Sequence, residues 1–169
     1  PVPGGPYDVV YARLLMFHLP QRVRVLARLW DAVAPGGHLV VQDYDLHAIE
    51  VVPALASVDE IVRILIGAFG ALSCDVRAGV GLPRLFAEAG IGAPDETDVS
   101  GRCEPLSSGY VILDQTTQSV LPVAIAHGVT DEEHAQQALA ALRRDAAGFP
   151  DSTLLWPLMF GAWRRKAAR

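Results

Sequence analysis

The chain has 169 residues, 51% of them hydrophobic and 20% charged, with a formal charge of −5. That length suits one domain, or part of a larger one, with a substantial core, and the acidic balance argues against a nucleic-acid platform. No apolar run reaches the ~18 residues that span a bilayer. The first residues do not read as a signal peptide. Two cysteines, Cys74 and Cys103, make no disulfide framework, so a reducing cytoplasm is the expected setting.

Pro1-Val2-Pro3-Gly4-Gly5-Pro6 reads as a loop inside a domain rather than a natural start. Tyr7-Asp8-Val9-Val10-Tyr11-Ala12 follows it, rich in β-branched and aromatic residues, which predicts a strand. Pro20 opens a helix, where its missing N–H costs nothing. Val23, Leu26, Leu29, Trp30 and Val33 recur at helical spacing. Pro35-Gly36-Gly37 ends that helix, and Leu39-Val40-Val41 begins a second strand that stops at Asp43-Tyr44-Asp45. Two strands joined through a helix lie parallel, and ligands of open parallel sheets sit outside the strands' carboxyl ends. Arg13 and Asp43 should therefore be neighbours beside a site.

Residues 46–56 carry no regular pattern. Ser57 and Glu60 form a capping box for a helix bearing Ile61, Leu65, Phe69 and Leu72. Gly79-Val80-Gly81 leads into a shorter helix with Leu82, Leu85, Phe86 and Ala89, closed by Gly90. Those glycines are not a dinucleotide loop, because no strand precedes them and the third glycine is absent. Thr97 to Cys103 is a strand candidate, and residues 107–127 read as a helix kinked at Pro122 and closed by Gly128. Thr130-Asp131-Glu132-Glu133 is a second capping box, for a helix whose Ala135, Ala138, Leu139 and Leu142 share a face. Phe149-Pro150-Asp151 turns the chain into a last strand, Leu158 to Trp163, which begins just after Pro157. Arg164-Arg165-Lys166 with Arg169 reads as a solvated tail rather than a phosphate contact.

The run Tyr7 to Arg13, His18-Leu19-Pro20, Leu29 through Pro35-Gly36-Gly37, and Leu39 to Asp45 resembles the second half of class I S-adenosylmethionine-dependent methyltransferases. It is similar to the family's fourth strand, the helix after it, the Pro-Gly-Gly turn and the fifth strand. The resemblance implies an α/β, partial Rossmann-like methyltransferase fold. Its parallel strands would end in an antiparallel pair, with the final strand inserted beside the fifth. Residues 1–169 would be the C-terminal part of the domain, and 106–149 a helical insertion able to act as a lid. The resemblance further implies methyl transfer from S-adenosylmethionine to a small-molecule acceptor, this chain supplying the substrate-side half. Ala12, Arg13, Leu14, His18 and Leu19 fall where the family touches the amino-acid and adenine parts of the cofactor. The family's first three strands, with the glycine-rich loop and the acidic ribose ligand, have no counterpart in this sequence.

Methyl transfer from a sulfonium is an in-line displacement, so the enzyme mainly aligns the partners and excludes water, adding a base where the nucleophile has a proton to lose. Asp43, Asp45 and His47 alternate and would share one face of a continued strand. Such a set could hold a metal, but a strand ending near Asp43 removes the alternation, and no metal is assigned. His18, Asp43 and Asp45 are the catalytic candidates; Tyr44, His47 and Tyr110 are the substrate contacts. The imidazole of His18 suits proton transfer near neutral pH, unless it only packs under the helix. Arg13 and Asp43 are an alternative ion pair. Gln115 and Gln118 accompany Tyr110 on the insertion, where core or surface placement is the other reading. His127 and His134 read as cap or surface residues, Trp156 and Trp163 as packing. Cys103 has no neighbouring base that would activate it.

Two rivals remain: a non-catalytic α/β interaction module, and a nicotinamide-dependent oxidoreductase fragment whose last strand would run parallel to its neighbours. The family's fourth strand is central, so here its open edge invites a second copy or a separately supplied N-terminal half. The chain alone would then bind S-adenosylmethionine poorly and would not rest as a simple monomer.

Overall fold

The structure, a computed structural model, describes residues 4–168. Pro1-Val2-Pro3 of the expected opening loop and Arg169 of the expected tail lie outside the described residues. In chain order the elements are β1 (Tyr7–Arg13), α1 (Arg22–Asp31), β2 (Val33–Asp45), β3 (Glu50–Val52), α2 (Ala56–Ala71) and α3 (Leu82–Glu88). There follow β4 (Glu96–Ser100), β5 (Cys103–Pro105), α4 (Leu106–Ala126), α5 (Glu132–Gly148), β6 (Thr153–Leu155) and β7 (Leu158–Arg165), with 3-10 turns at Met16–His18 and Leu46–Ala48. The chain divides into two compact units. The first takes residues through Asp45, Arg77–Ser100 and Met159 onward; the second takes Leu46–Val76 and Gly101–Leu158.

The first unit is a four-stranded sheet in the order β1-β2-β7-β4. β1 and β2 are parallel, as expected of strands joined through a helix, with Val10 opposite Leu39, Ala12 opposite Val41 and Arg13 opposite Gln42. β7 lies between β2 and β4 and runs antiparallel to β4. Its far end pairs Lys166 with Gly36 and Gly37 while Gly161 sits beside Gln42, so it also runs against β2. Val10, Ala12, Leu39, Val41, Leu26, Leu82, Phe86 and Ala162 are among its buried residues.

Local details differ from the sequence expectation. α1 begins at Arg22, after Gln21, so Pro20 precedes the helix instead of opening it. Pro35-Gly36-Gly37 lies inside β2 as a bulge: Tyr7 pairs with Val33, yet Val9 already pairs with His38. Gly36 there has φ +82°, a conformation that favours glycine. The basic tail is not a solvated end. Lys166 Nζ donates to the carbonyls of Trp30 and Val33, each at 2.9 Å, and Arg165 Nε to Gly36 O at 3.1 Å. The cationic side chains satisfy carbonyls left over at the end of α1 and in the bulge.

The second unit joins helices α2, α4 and α5 to a small antiparallel sheet in the order β3-β6-β5. Ile61, Ile64, Leu65, Leu113, Leu139, Leu142 and Leu154 form its buried core. Gly128 ends α4 at φ +68°, with Val129 N–H returning to Ala124 O at 2.9 Å. The capping boxes resolve differently. Asp131, not Thr130, caps α5 by accepting from His134 N–H at 2.8 Å. Ser57 makes no cap at α2, because its hydroxyl donates to Asp145 Oδ2 at 2.5 Å. Glu60 pairs instead with Arg63 and His134. Among the described residues no helix is long and apolar enough to cross a membrane.

Candidate functional site

β1 stays paired with β2 as far as Leu14, whose N–H donates to Gln42 O at 2.9 Å. Leu14 then adopts φ +53°, a left-handed conformation that costs a β-unbranched but bulky residue of order 1–3 kcal/mol. The reversal carries Met16–His18 across the carboxyl end of β2, where Asp43 waits. Phe17 N–H donates to Asp43 Oδ2 at 3.0 Å, and Tyr44 N–H donates to Asp43 Oδ1 at 3.0 Å. Asp43 is 0% exposed. Burial pushes its carboxyl above the usual aspartate range; the amides of Phe17, Tyr44 and Met16 and the nearby His18 ring pull the other way.

A third segment closes on the same spot. Gly79 N–H donates to Tyr44 O at 2.9 Å. A Cβ at Gly79 would lie 2.4 Å from Asp43 O and 3.0 Å from Phe160 Cδ2, so only glycine lets this backbone approach so closely. β2 runs to Asp45, two residues beyond Asp43, and both aspartates fall on the buried side of the strand. Arg77 Nε lies 3.5 Å from Asp45 Oδ2. The first unit thus gathers an exposed imidazole at His18, an exposed cation at Arg13 and half-buried apolar surface at Leu14 and Leu19 around the strand ends. Between them lies a buried carboxylate that accepts one backbone amide at each oxygen.

The topology separates the fold families. A final strand wedged between β2 and β4 and reversed against both is what the methyltransferase resemblance requires, and it departs from the parallel last strand of the oxidoreductase rival. No protein-family model matches the chain. A methyltransferase designated str3, from Strobilurus tenacellus, is 49% identical over 51 residues, 30% of this chain and 18% of that protein. A second methyltransferase of that organism, str2, is 44% identical over 45 residues, 27% of this chain and 16% of its own length. The matches therefore span less than a fifth of these curated relatives. The solved structure of a candidate methyltransferase from Bacillus halodurans superposes with a TM-score of 0.53 at 12% identity, covering 96% of this chain and 71% of that one. The chain has a methyltransferase fold.

Within this methyltransferase fold, Ala12, Arg13, Leu14, His18, Leu19, Asp43, Tyr44 and Asp45 come together in the first unit. Ala12 is buried, and Tyr44 is half-buried. The expected Arg13–Asp43 ion pair does not form, although the two residues end paired strands as expected, since Arg13 lies opposite Gln42. The Asp43 oxygens are taken by amides instead. His47 falls in the 3-10 turn of the second unit, exposed, so the alternation that joins Asp43 and Asp45 stops before it. Among the described residues no group of three or more His, Cys, Asp or Glu could hold a metal. Tyr110 is in the second unit, half-buried against the helical core, and Gln118 donates its amide to Asp114. Arg77 and Gly79 were not singled out as site residues by sequence. Their partners lie some thirty residues earlier on another element, and no local spacing signals that meeting.

Proposed function

We propose that this chain is the substrate-side half of an S-adenosylmethionine-dependent methyltransferase acting on a small-molecule acceptor. The observation that carries the reading is the strand order β1-β2-β7-β4 with β7 reversed. The segments shared with str3 and str2 of Strobilurus tenacellus support it. S-adenosylmethionine would supply an activated methyl group on sulfur. The residues present fit one side of that molecule: Leu14 and Leu19 offer apolar surface suited to a purine, while Arg13 and His18 offer polar groups suited to a charged tail. Ala12 is buried and would contribute backbone alone.

The protein's share of the chemistry is alignment and exclusion of water, because the sulfonium leaving group needs no further activation. His18, exposed at the strand ends, is the candidate proton acceptor for an acceptor that must lose a proton. Tyr44 and Asp45 are proposed to shape the acceptor side in the first unit. β1 is an edge strand among the described residues, and Tyr7, Val9 and Tyr11 on it are 38%, 59% and 54% exposed. A strand from an N-terminal half, or from a second copy, is therefore the proposed partner. Isothermal titration with S-adenosylmethionine tests the reading, on the full-length protein carrying this sequence and on the 169-residue chain alone. Micromolar binding by the former and weak binding by the latter are expected. No binding by the full-length protein refutes the enzyme and favours an interaction module.

A further inference from the structure

We infer that Asp43 is a positioning residue whose buried carboxylate holds the Met16–His18 turn in place, and that it takes no proton in the reaction. This rests on the methyltransferase reading for its functional consequence, but its structural part stands on unit geometry alone. Asp43 Oδ2 accepts the Phe17 amide and Oδ1 the Tyr44 amide, each at 3.0 Å. A carboxylate with both oxygens engaged and 0% of its residue exposed offers nothing to an acceptor. What it can do is mechanical. The turn begins at a left-handed Leu14, a conformation that persists only where its surroundings enforce it.

The enforcing contacts run in series. Gly79 packs on the carbonyl of Asp43 and ties down Tyr44, which fixes the end of β2. Asp43 in turn ties Phe17, whose ring is buried and stacks edge-on against the His18 ring at a centroid separation of 4.8 Å. The exposed imidazole of His18 and the half-exposed Leu19 thus take their positions from a group they do not adjoin in sequence. Charged acceptors bind amides more strongly than neutral ones, so asparagine, of nearly the same shape, is a weaker anchor.

The test is Asp43→Asn in the full-length protein, read by amide hydrogen exchange, by S-adenosylmethionine titration and by turnover at saturating cofactor. Expected are exchange at Phe17 at least tenfold faster, a cofactor dissociation constant raised about tenfold, and kcat within about threefold of wild type. Leu142→Ala, in the core of the second unit, controls for lost stability and leaves the cofactor dissociation constant within twofold. A kcat reduced by 100-fold or more with unchanged cofactor binding overturns the inference and makes Asp43 a proton acceptor. Unchanged exchange and unchanged cofactor binding also overturn it. Should the variant not fold, the wild type decides by pH titration in NMR: the Phe17 amide proton must shift with the Asp43 carboxyl carbon, and independent titration refutes the anchor. If wild type binds no cofactor while Phe17 exchange still accelerates in Asp43→Asn, the anchor stands and the methyltransferase reading falls.

Discussion

Replacing Gly79 by alanine puts one methyl group where there is no room for it. Its Cβ would approach Asp43 O to 2.4 Å and Phe160 Cδ2 to 3.0 Å, and real Cβ atoms essentially never come within 3.0 Å of a neighbour. The obstructing atom is a main-chain carbonyl at the end of β2, which cannot swing aside as a side chain would. Either the Arg77–Gly79 segment lifts off the strand, losing its hydrogen bond to Tyr44, or β2 shifts and carries Asp43 with it. Overpacking of this kind costs about 1–3 kcal/mol, which in a chain of this size lowers the melting midpoint by about 3–10 °C. The control is Gly70→Ala in α2, where no atom lies within 4 Å of the new methyl. There alanine should stabilise by about 0.5–1 kcal/mol, because it restricts the unfolded chain and suits a helix. Urea unfolding followed by circular dichroism reads both variants. The same chemical change must give opposite signs. A Gly79→Ala midpoint at or above wild type would show that the approach to Asp43 is not as close as described.

Arg143→Met removes both hydrogen bonds that Asp114 accepts from the guanidinium, and a loss of about 1–3 kcal/mol at pH 7 is expected by urea titration, tempered because Arg143 is half-exposed. The same pair predicts a pH effect. Arg143 holds the Asp114 carboxyl below its ordinary 3.8, so its contribution is complete above that value and is lost as pH falls through the lower native one. Unfolding curves at pH 7 and pH 3 should therefore show a smaller acid loss in the variant than in wild type. Asp131→Ala removes the cap on α5 and should cost about 1 kcal/mol in the same assay. Leu142→Ala, fully buried in the second unit, should cost about 2–5 kcal/mol; a loss under 1 kcal/mol would mean the helical core closes around the gap.

Where a signal was local, the sequence read well. β1, β2 and the parallel pairing between them follow from apolar runs separated by a helix, and Gly90 and Gly128 mark helix ends by their own backbone freedom. Reading failed where a distant partner decided. Ser57 and Glu60 have the spacing of a capping box, but Asp145, 88 residues away, claims the Ser57 hydroxyl. β3, β5 and β6 have three residues each and exist by pairing with one another, so the stretch after Asp45 looked irregular. Pro-Gly-Gly signalled a helix end yet forms a bulge within β2, because Lys166 and Arg165 from the opposite end of the chain occupy its carbonyls. At the site, the neighbourhood of Arg13 and Asp43 was legible from strand order. What Asp43 binds was not, since backbone amides leave no mark in a sequence.

The placement of β7 has a consequence for synthesis. β7 is made after both β2 and β4, yet it is the strand that joins them. As the chain emerges, β4 is complete at Ser100, while its sheet neighbour begins only at Leu158. At about 5–20 residues per second the ribosome needs roughly 3–12 s to cover that interval. Throughout it β2 shows a bare edge of amides and carbonyls, and β4 has no strand to lie against. Segments of the second unit, by contrast, mostly appear during the same interval and can condense while β2 waits. Over those seconds the nascent protein is open to mispairing along β2.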